Sequence, residues 1–406
     1  MSFAPAPPPS TPLGRYRVLS PLAGVRVSPL QLGGGNIGDQ HHKIGMGAMD
    51  KESSFKLLDA YFEAGGNFID TANVYQSGTS ESFIGEWAEK RGIRDQLVIA
   101  TKYTMMDTAF TENNLGIKVN FYGNNTKSMR INVDQSLKRL CTHYIDIFYI
   151  HFWDFTTSVE EVMDALHNLV SSGKVLYLGI SDAPAWVVVH ANMYAKQHGK
   201  TPFVIYQGAW NVMDRSFERE IIPMARAHGL ALAPWNVLAS GRFRTDAEEE
   251  RRAATGEKGR TILRAEWKRD ENEKKMSVAL EKVAKEVGTE HITAVAIAYV
   301  MQKTPYVFPI IGGRKVEHLM ANIEALKILI SEEQMKYLES IIPFEPGFPH
   351  DIIVSNFYQI LALFLTVVIE TGRWYRSTSS YSKFGTRRYL ARQAGYKAGQ
   401  SLIASG

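Results

Sequence analysis

The chain has 406 residues, 45% of them hydrophobic and 22% charged, with a net charge of +4. That is ordinary globular composition, and a charge so small, with no long basic run, argues against a nucleic-acid partner. The single cysteine, Cys141, excludes an internal disulfide framework and points to a reducing, cytoplasmic compartment.

The first fourteen residues carry Pro5, Pro7, Pro8, Pro9 and Pro12 and no apolar signal core, so residues 1–14 are expected to be a flexible lead-in. Tyr16–Leu19 and Val25–Pro29, flanking Ala23-Gly24, read as a small hairpin that could close the floor of a barrel. Short apolar runs follow at Leu30–Gly33, Asn67–Asp70, Leu97–Thr101, Ile145–Ile150, Val175–Ile180, Phe203–Tyr206, Leu230–Ala233 and Val307–Ile311. They do not alternate with polar residues, which is the pattern of strands buried on both faces. Between them lie helix-like stretches: Ser53–Ala64, Ser158–Val170, Phe217–Ala227, Glu273–Val287 and Val316–Leu326. Met276, Ala279, Leu280, Val283, Ala284 and Val287 share one helical face. Strands alternating with helices predict a (β/α)8 TIM barrel over residues 15–350. The charged stretch Asp246–Arg260 reads as a mobile loop. After Pro343 the breakers Pro346, Gly347 and Pro349 end the pattern, leaving residues 351–406 as a divergent tail. Its apolar run Ile352–Ile369 is interrupted by Asn356 and Gln359 and is expected to dock, lie on a surface or stay disordered rather than span a membrane.

In such a barrel the loops beyond the carboxyl ends of the strands form the active face. Asp70, with Tyr75 soon after, ends the second strand; Lys102 ends the third and His151 the fourth. Ser181 and Asp182 follow the fifth strand, Gln207 the sixth, and Gly312-Gly313-Arg314-Lys315 the eighth. Singly, each has a structural explanation: a turn aspartate, a packed tyrosine, a lysine reaching for water, a core histidine. Four of them on one rim in successive segments argue for chemistry. Gly33-Gly34-Gly35 lacks the spacing of a dinucleotide or Walker motif, and Asp39, His41 and His42 have no further partner at metal-ligand spacing, so no metal is expected. The sequon Asn124-Asn125-Thr126, with no secretory signal, is read as chance.

The stretch Gly66-Asn67-Phe68-Ile69-Asp70-Thr71-Ala72-Asn73-Val74-Tyr75, followed by Gly78, Ser80, Glu81, Ile84 and Gly85, resembles the aldo-keto reductase signature. Ile99–Lys102, Ile145–His151 and Ile311–Asn322 extend the likeness. Ser181–Trp186, Tyr206–Asn211 and Pro309–Lys315 bring it closer to the fungal aryl-alcohol dehydrogenase and norsolorinic acid reductase-like branch. The resemblance implies an NADP(H)-dependent oxidoreductase acting on a small carbonyl or alcohol substrate. The implied catalytic residues are Asp70, Tyr75, Lys102 and His151, with Tyr75 the proton donor, Lys102 lowering its pKa, Asp70 orienting Lys102, and His151 meeting the substrate carbonyl. The implied cofactor contacts are Asp70, Ser181, Asp182 and Gln207 at the carboxamide and Trp210 stacked on the nicotinamide. Asn236, Val237, Leu238, Ala239, Ser240, Gly241 and Arg242 would lie over the pyrophosphate. Gly313, Arg314, Lys315, His318 and Asn322 would hold the adenosine phosphate. Asp182 departs from the asparagine common in the superfamily and, ionised, accepts but cannot donate. A cofactor-binding regulatory module on the same scaffold, as in potassium-channel β-subunits, and an enzyme impaired by its unusual tail remain open alternatives here.

Overall fold

In the computed structural model, which describes residues 9–41, 45, 47–106, 116–256, 260, 261, 264 and 266–353, Arg17–Ser20 (β1) and Ala23–Val27 (β2) pair antiparallel. Ser20 faces Ala23, so the turn is Pro21-Leu22; Ala23 and Gly24 belong to the second strand rather than to the turn. The expected strands then appear in order: Gln31–Gly33 (β3), Phe68–Asp70 (β4), Val98–Tyr103 (β5), Ile145–Ile150 (β6), Val175–Ser181 (β7), Phe203–Ala209 (β8), Ala231–Trp235 (β9) and Ile310–Ile311 (β10). All neighbouring pairs are parallel, in the order β10-β3-β4-β5-β6-β7-β8-β9. Leu232 N–H donates to Tyr306 O (2.9 Å) and Phe308 N–H to Leu232 O (2.8 Å), which joins β9 to the approach of β10 and closes the barrel.

Two apolar layers follow from this closure. Phe68, Val98, Ile147, Ile205, Ala231 and Phe308 fill the inside, and Leu19, Ala23 and Val27 of the hairpin join them. The hairpin is tied to the amino ends of the strands. Ser28 N–H donates to Asn67 Oδ1 (2.7 Å), Asn67 Nδ2 to Arg26 O (3.1 Å), and the Arg17 guanidinium lies 4.9 Å over the Phe308 ring. The hairpin therefore covers the floor. The second layer packs the outward faces of the strands against helices at Lys51–Glu63, Thr79–Arg91, Thr126–Arg139, Val159–Ser171, Ala185–Gln197 and Ile221–His228, and at Glu271–Val287, Ile292–Lys303 and Val316–Ile323. Their ends carry ordinary caps: Asp50 accepts from Ser53 N–H (2.7 Å), Asp270 and Glu273 form a capping box, and Gly288 stops the helix with φ 77°.

Of the segment read as a mobile loop, Asp246–Arg260, residues 257–259 lie outside the described residues and most of the rest is helical. Asp246–Thr255 is a helix capped by Thr245. Arg244, fully buried, donates through Nε and Nη2 to Glu249 (2.9 and 2.6 Å), and Arg269 reaches the same carboxylate through Nε (2.9 Å). Charge composition alone hid this, because the arginines that order the helix lie outside it. The helix at Ile292–Lys303 was equally hard to see: Ala294 to Val300 are all buried, so no polar face marks a period. The chain divides after Pro346. Beyond it, the described residues make a short turn in which the Asp351, Ile352 and Ile353 N–H groups bond back to Gly347 and Pro349. The apolar run expected at 352–369, the remainder of the tail and residues 1–8 of the expected lead-in lie outside the described residues. No helix among the described residues is long and apolar enough to cross a membrane.

Candidate active site

The parallel register sets the strand ends level. Gly33 is opposite Asp70, Lys102 opposite Tyr149 and Ser181 opposite Gln207, so the polar residues that close each strand gather on one rim. Lys102 is at the centre and wholly buried. Its Nζ donates to Asp70 Oδ1 (2.8 Å), Asp70 Oδ2 (2.7 Å) and Thr71 O (2.8 Å), and lies 3.4 Å from the Tyr75 hydroxyl. Gln207 Nε2 donates to the same Asp70 Oδ1 (2.8 Å). The His151 ring meets Tyr75 edge-on, with centroids 5.8 Å apart. Asp70, Tyr75, Lys102 and His151 thus converge.

Burial of charge is tolerated here because it is paired and hydrogen-bonded. Burial by itself depresses the Lys102 pKa, but attraction to Asp70 and Tyr75 outweighs it, and the group is raised and stays an ammonium. The expectation that Lys102 lowers the Tyr75 pKa holds only for that one interaction. Burial of the phenol is the larger effect, and its pKa is raised. Tyr75 is therefore a protonated phenol at neutral pH. Burial, reinforced by the Lys102 charge, pushes His151 down to about 3, which leaves a neutral imidazole. Among the described residues its Nδ1 is buried without a hydrogen-bond partner.

Tyr75 is followed by Gln76 and Ser77, both with φ 53°, a left-handed conformation unusual for either residue. Gln76 is fully buried and fixes it. Its Oε1 accepts from the backbone of Gln40 (3.0 Å) and His41 (2.7 Å), and its Nε2 donates to Gly35 O (2.8 Å) and Gly47 O (2.7 Å). His41 accepts the Gln76 N–H at Nδ1 (3.2 Å) and lies 3.2 Å from the Ser77 hydroxyl through Nε2, so it braces the same turn; His42 lies outside the described residues.

On the other side of the rim, Ser181 Oγ donates to Asp182 Oδ2 and Trp235 Nε1 to Asp182 Oδ1, both at 3.2 Å. Trp235, at the end of β9, is half-buried. Trp210 is different: it has no exposed surface, lies stacked on Phe217 (5.5 Å, 12° between planes) and points its indole N–H at Glu218. It offers no face to a nicotinamide, which corrects the expectation made for it. Asn236, Ala239 and Ser240 follow Trp235 with φ of 59°, 48° and 57° in a tight turn, Val237 buried beneath it and Leu238 half-buried against the core, with Gly241 closing it. Arg242 is turned inward, to Glu266 O (3.1 Å) and Glu273 (3.5 Å). Past β10, Gly313 leads to the exposed Arg314 and Lys315, with His318 half-buried and Asn322 buried on the helix they open. Arg260 Nη2 donates to Asn36 Oδ1 (2.6 Å), and a Cβ added at Gly47 would meet both Asn36 Oδ1 and Arg314 Cδ at 3.6 Å. Arg260 thus holds Asn36, and Arg314 lies close enough for its charge to act on Arg260. Sequence reasoning missed Trp235, Asn36, Arg260 and Gln76. Only Trp235 carried a signal, since it closes a strand like the others.

Residues 29–343 match the Aldo/keto reductase family. The chain belongs to that family. It is 62% identical over 352 residues to a Phanerodontia chrysosporium protein named aryl-alcohol dehydrogenase (NADP(+)), covering 86% of this chain and 91% of the relative. An Emericella nidulans protein named aldo-keto reductase ausK is 53% identical over 350 residues (86% and 87%), and norsolorinic acid reductase A of Aspergillus parasiticus 49% over 351 (86% and 87%). The donor set of this aldo-keto reductase suits a nicotinamide dinucleotide. It has an aromatic face at Trp235, a tight turn exposing backbone, and cations at Arg260 and Arg314 for phosphate.

Proposed function

We propose that this chain is an NADPH-dependent reductase that converts an aldehyde or ketone, preferably aromatic, to the alcohol, reversibly, with Tyr75 as proton donor. The observation that carries the reading is the buried Lys102 ammonium, held by both oxygens of Asp70 with its Nζ 3.4 Å from the Tyr75 hydroxyl. NADP(H) use is supported by family membership and by the printed name of the Phanerodontia relative.

Bound on this rim, the nicotinamide supplies the hydride. The chain's residues do the rest. Ser181, Asp182 and Gln207 orient the carboxamide, Asp70 supporting Gln207. Trp235, in place of Trp210, provides the stacking face. The backbone of Asn236–Gly241 lies against the pyrophosphate. Arg314 and Lys315, with Gly313, His318 and Asn322 beside them, take the adenosine phosphate, and Arg260 adds a second guanidinium. His151, neutral, carries one ring proton, which we place on Nε2 because Nδ1 is buried without a partner; it donates to the substrate carbonyl oxygen. Tyr75 passes its phenolic proton to that oxygen as it becomes an alkoxide. Lys102 stabilises the phenolate left behind, and Asp70 keeps Lys102 in place. In the reverse direction the phenolate takes the proton back.

The test is Tyr75→Phe. NADPH oxidation with an aromatic aldehyde is expected to fall by about 10²–10⁴, while NADPH binding, followed by protein fluorescence, is retained. Near wild-type turnover would reject the role given to Tyr75. We further propose that residues 15–350 are the catalytic barrel, that the segment after Asp351 is not part of its core, and that the enzyme works in the cytosol, where its one thiol stays reduced.

A further inference from the structure

Two rim loops are stitched together beside His151. Asn124 N–H donates to Asp154 Oδ2 (2.7 Å), and Asp154 N–H donates back to Asn124 Oδ1 (2.8 Å). Asn124 Nδ2 then divides its protons between Thr104 Oγ1 (2.8 Å) and Phe152 O (3.1 Å), and the Tyr103 hydroxyl donates to Asn124 O (3.1 Å). Asp154 accepts in addition from Thr156 N–H (2.9 Å), Thr157 N–H (3.0 Å) and the Thr157 hydroxyl (3.0 Å). Asn124 is completely buried with its amide fully used. The sequon that begins at this residue therefore marks a packed joint and no glycan acceptor. Gly123, at φ 90°, makes room for the joint, since a Cβ there would stand 2.9 Å from Asp154 Oδ2.

The joint fixes which rings face each other. Tyr122 precedes Gly123 on one loop, Phe152 precedes Trp153-Asp154 on the other, and their centroids are 6.2 Å apart. Phe152 is 6.2 Å from the His151 ring, which is 5.8 Å from Tyr75. A file of aromatic rings thus runs from the half-buried Tyr75 to Tyr122, which is 48% exposed. An exposed ring held by a polar pair, Asn124 buried and Asp154 half-buried, is an unusual use of such bonds unless the ring has something to meet, and aromatic side chains prefer other rings.

We propose that Asn124 and Asp154 are positioning residues that hold Tyr122 and Phe152 as one wall of the substrate pocket, and that this wall selects planar aromatic carbonyl compounds over small aliphatic ones. The proposal rests on the reading that His151 meets the substrate carbonyl, and it fails separately from it, because a small aliphatic aldehyde reports the chemistry without needing the wall. The experiment compares benzaldehyde with butanal, each with NADPH, in the full chain. Tyr122→Ala is expected to raise KM for benzaldehyde about three- to tenfold, the size of one lost ring contact. It should change kcat/KM for butanal less than about twofold, and Tyr122→Phe should restore the benzaldehyde KM. Asp154→Asn sets a donor against the Asn124 N–H and is expected to reproduce the Tyr122→Ala profile. Should it not fold, Thr157→Val, which removes a single bond to Asp154, is expected to shift KM the same way by less. An unchanged benzaldehyde KM in Tyr122→Ala, or equal losses for both aldehydes, overturns the wall; an unchanged benzaldehyde KM in the Asp154 or Thr157 variant overturns the joint.

Discussion

Replacing Lys102 by Met keeps the volume and removes the charge. At 3.4 Å from the Tyr75 oxygen, an ammonium stabilises a phenolate by about 5 kcal/mol at an effective dielectric constant of about 20. That is between roughly three and four pKa units of support for the proton donor's conjugate base. Without it, burial and the Asp70 charge, which both raise Tyr75, are opposed only by the smaller effect of the Arg260 charge. Turnover is expected to fall by at least the ~10²–10⁴ that general acid catalysis contributes. The fold suffers too, because Asp70 becomes a buried carboxylate whose remaining side-chain donor is Gln207; breaking such a pair costs about 3–5 kcal/mol. The double variant Asp70→Asn, Lys102→Met removes the orphaned charge. It should regain most of that stability in denaturant unfolding while its NADPH-coupled activity stays lost. A double variant no more stable than the single, or a Lys102→Met enzyme within tenfold of wild type, would refute the assignment of both charge and chemistry to this pair.

Arg314→Ala should weaken NADPH binding with little effect on NADH, by about 1.5–3 kcal/mol for a charge-assisted phosphate contact; equal loss for both cofactors, read by titration, removes Arg314 from the phosphate site. His151 has a folded pKa near 3 against 6.5 for the free group, so the unfolded chain takes up the proton first. Its contribution to stability is complete above pH 6.5 and is lost as pH falls towards 3, with a slope of up to about 1.4 kcal/mol per pH unit. Unfolding midpoints of His151→Gln across that window should be flatter than wild type. Because Tyr75 is raised, carbonyl reduction should hold its rate through neutral pH while alcohol oxidation, which needs the phenolate, should climb into the alkaline range; parallel profiles would contradict this. A chain stopped after His350 should fold and bind NADPH, with any change confined to substrate scope, and loss of folding by circular dichroism would place the tail in the core.

Much of the barrel could be read from the sequence because its strands are buried on both faces, and β6, at Ile145–Ile150, has the bounds its apolar run suggested. The rim could be read because a strand end is both a pattern boundary and a chemical address: Asp70, Lys102 and His151 each close an apolar run. The reasoning failed where an interaction partner was distant in the chain. Trp210 matched the family's nicotinamide-stacking aromatic, but it is buried and stacked on Phe217. Arg260 reaches Asn36 across 224 positions, and no local period encodes that. Asp246–Thr255 owes its order to Arg244 and Arg269 on either side, so a window confined to the segment showed only charge. The net rise in the Tyr75 pKa was equally hidden, since a sequence shows the lysine but not the depth of burial.

The hairpin beneath the barrel has a consequence for traffic. With Leu19, Ala23 and Val27 packed among the inward-facing side chains, the described residues close the barrel at the amino ends of its strands and leave the strand-end rim as the working face. On the proposed reading, a spent cofactor and a fresh one exchange past the same rim that holds the substrate. Lys102 and Asp70 cannot be rehydrated from behind. In the role proposed for Tyr75, the proton it gives up in one turnover is replaced from the rim side, across the site it has just served.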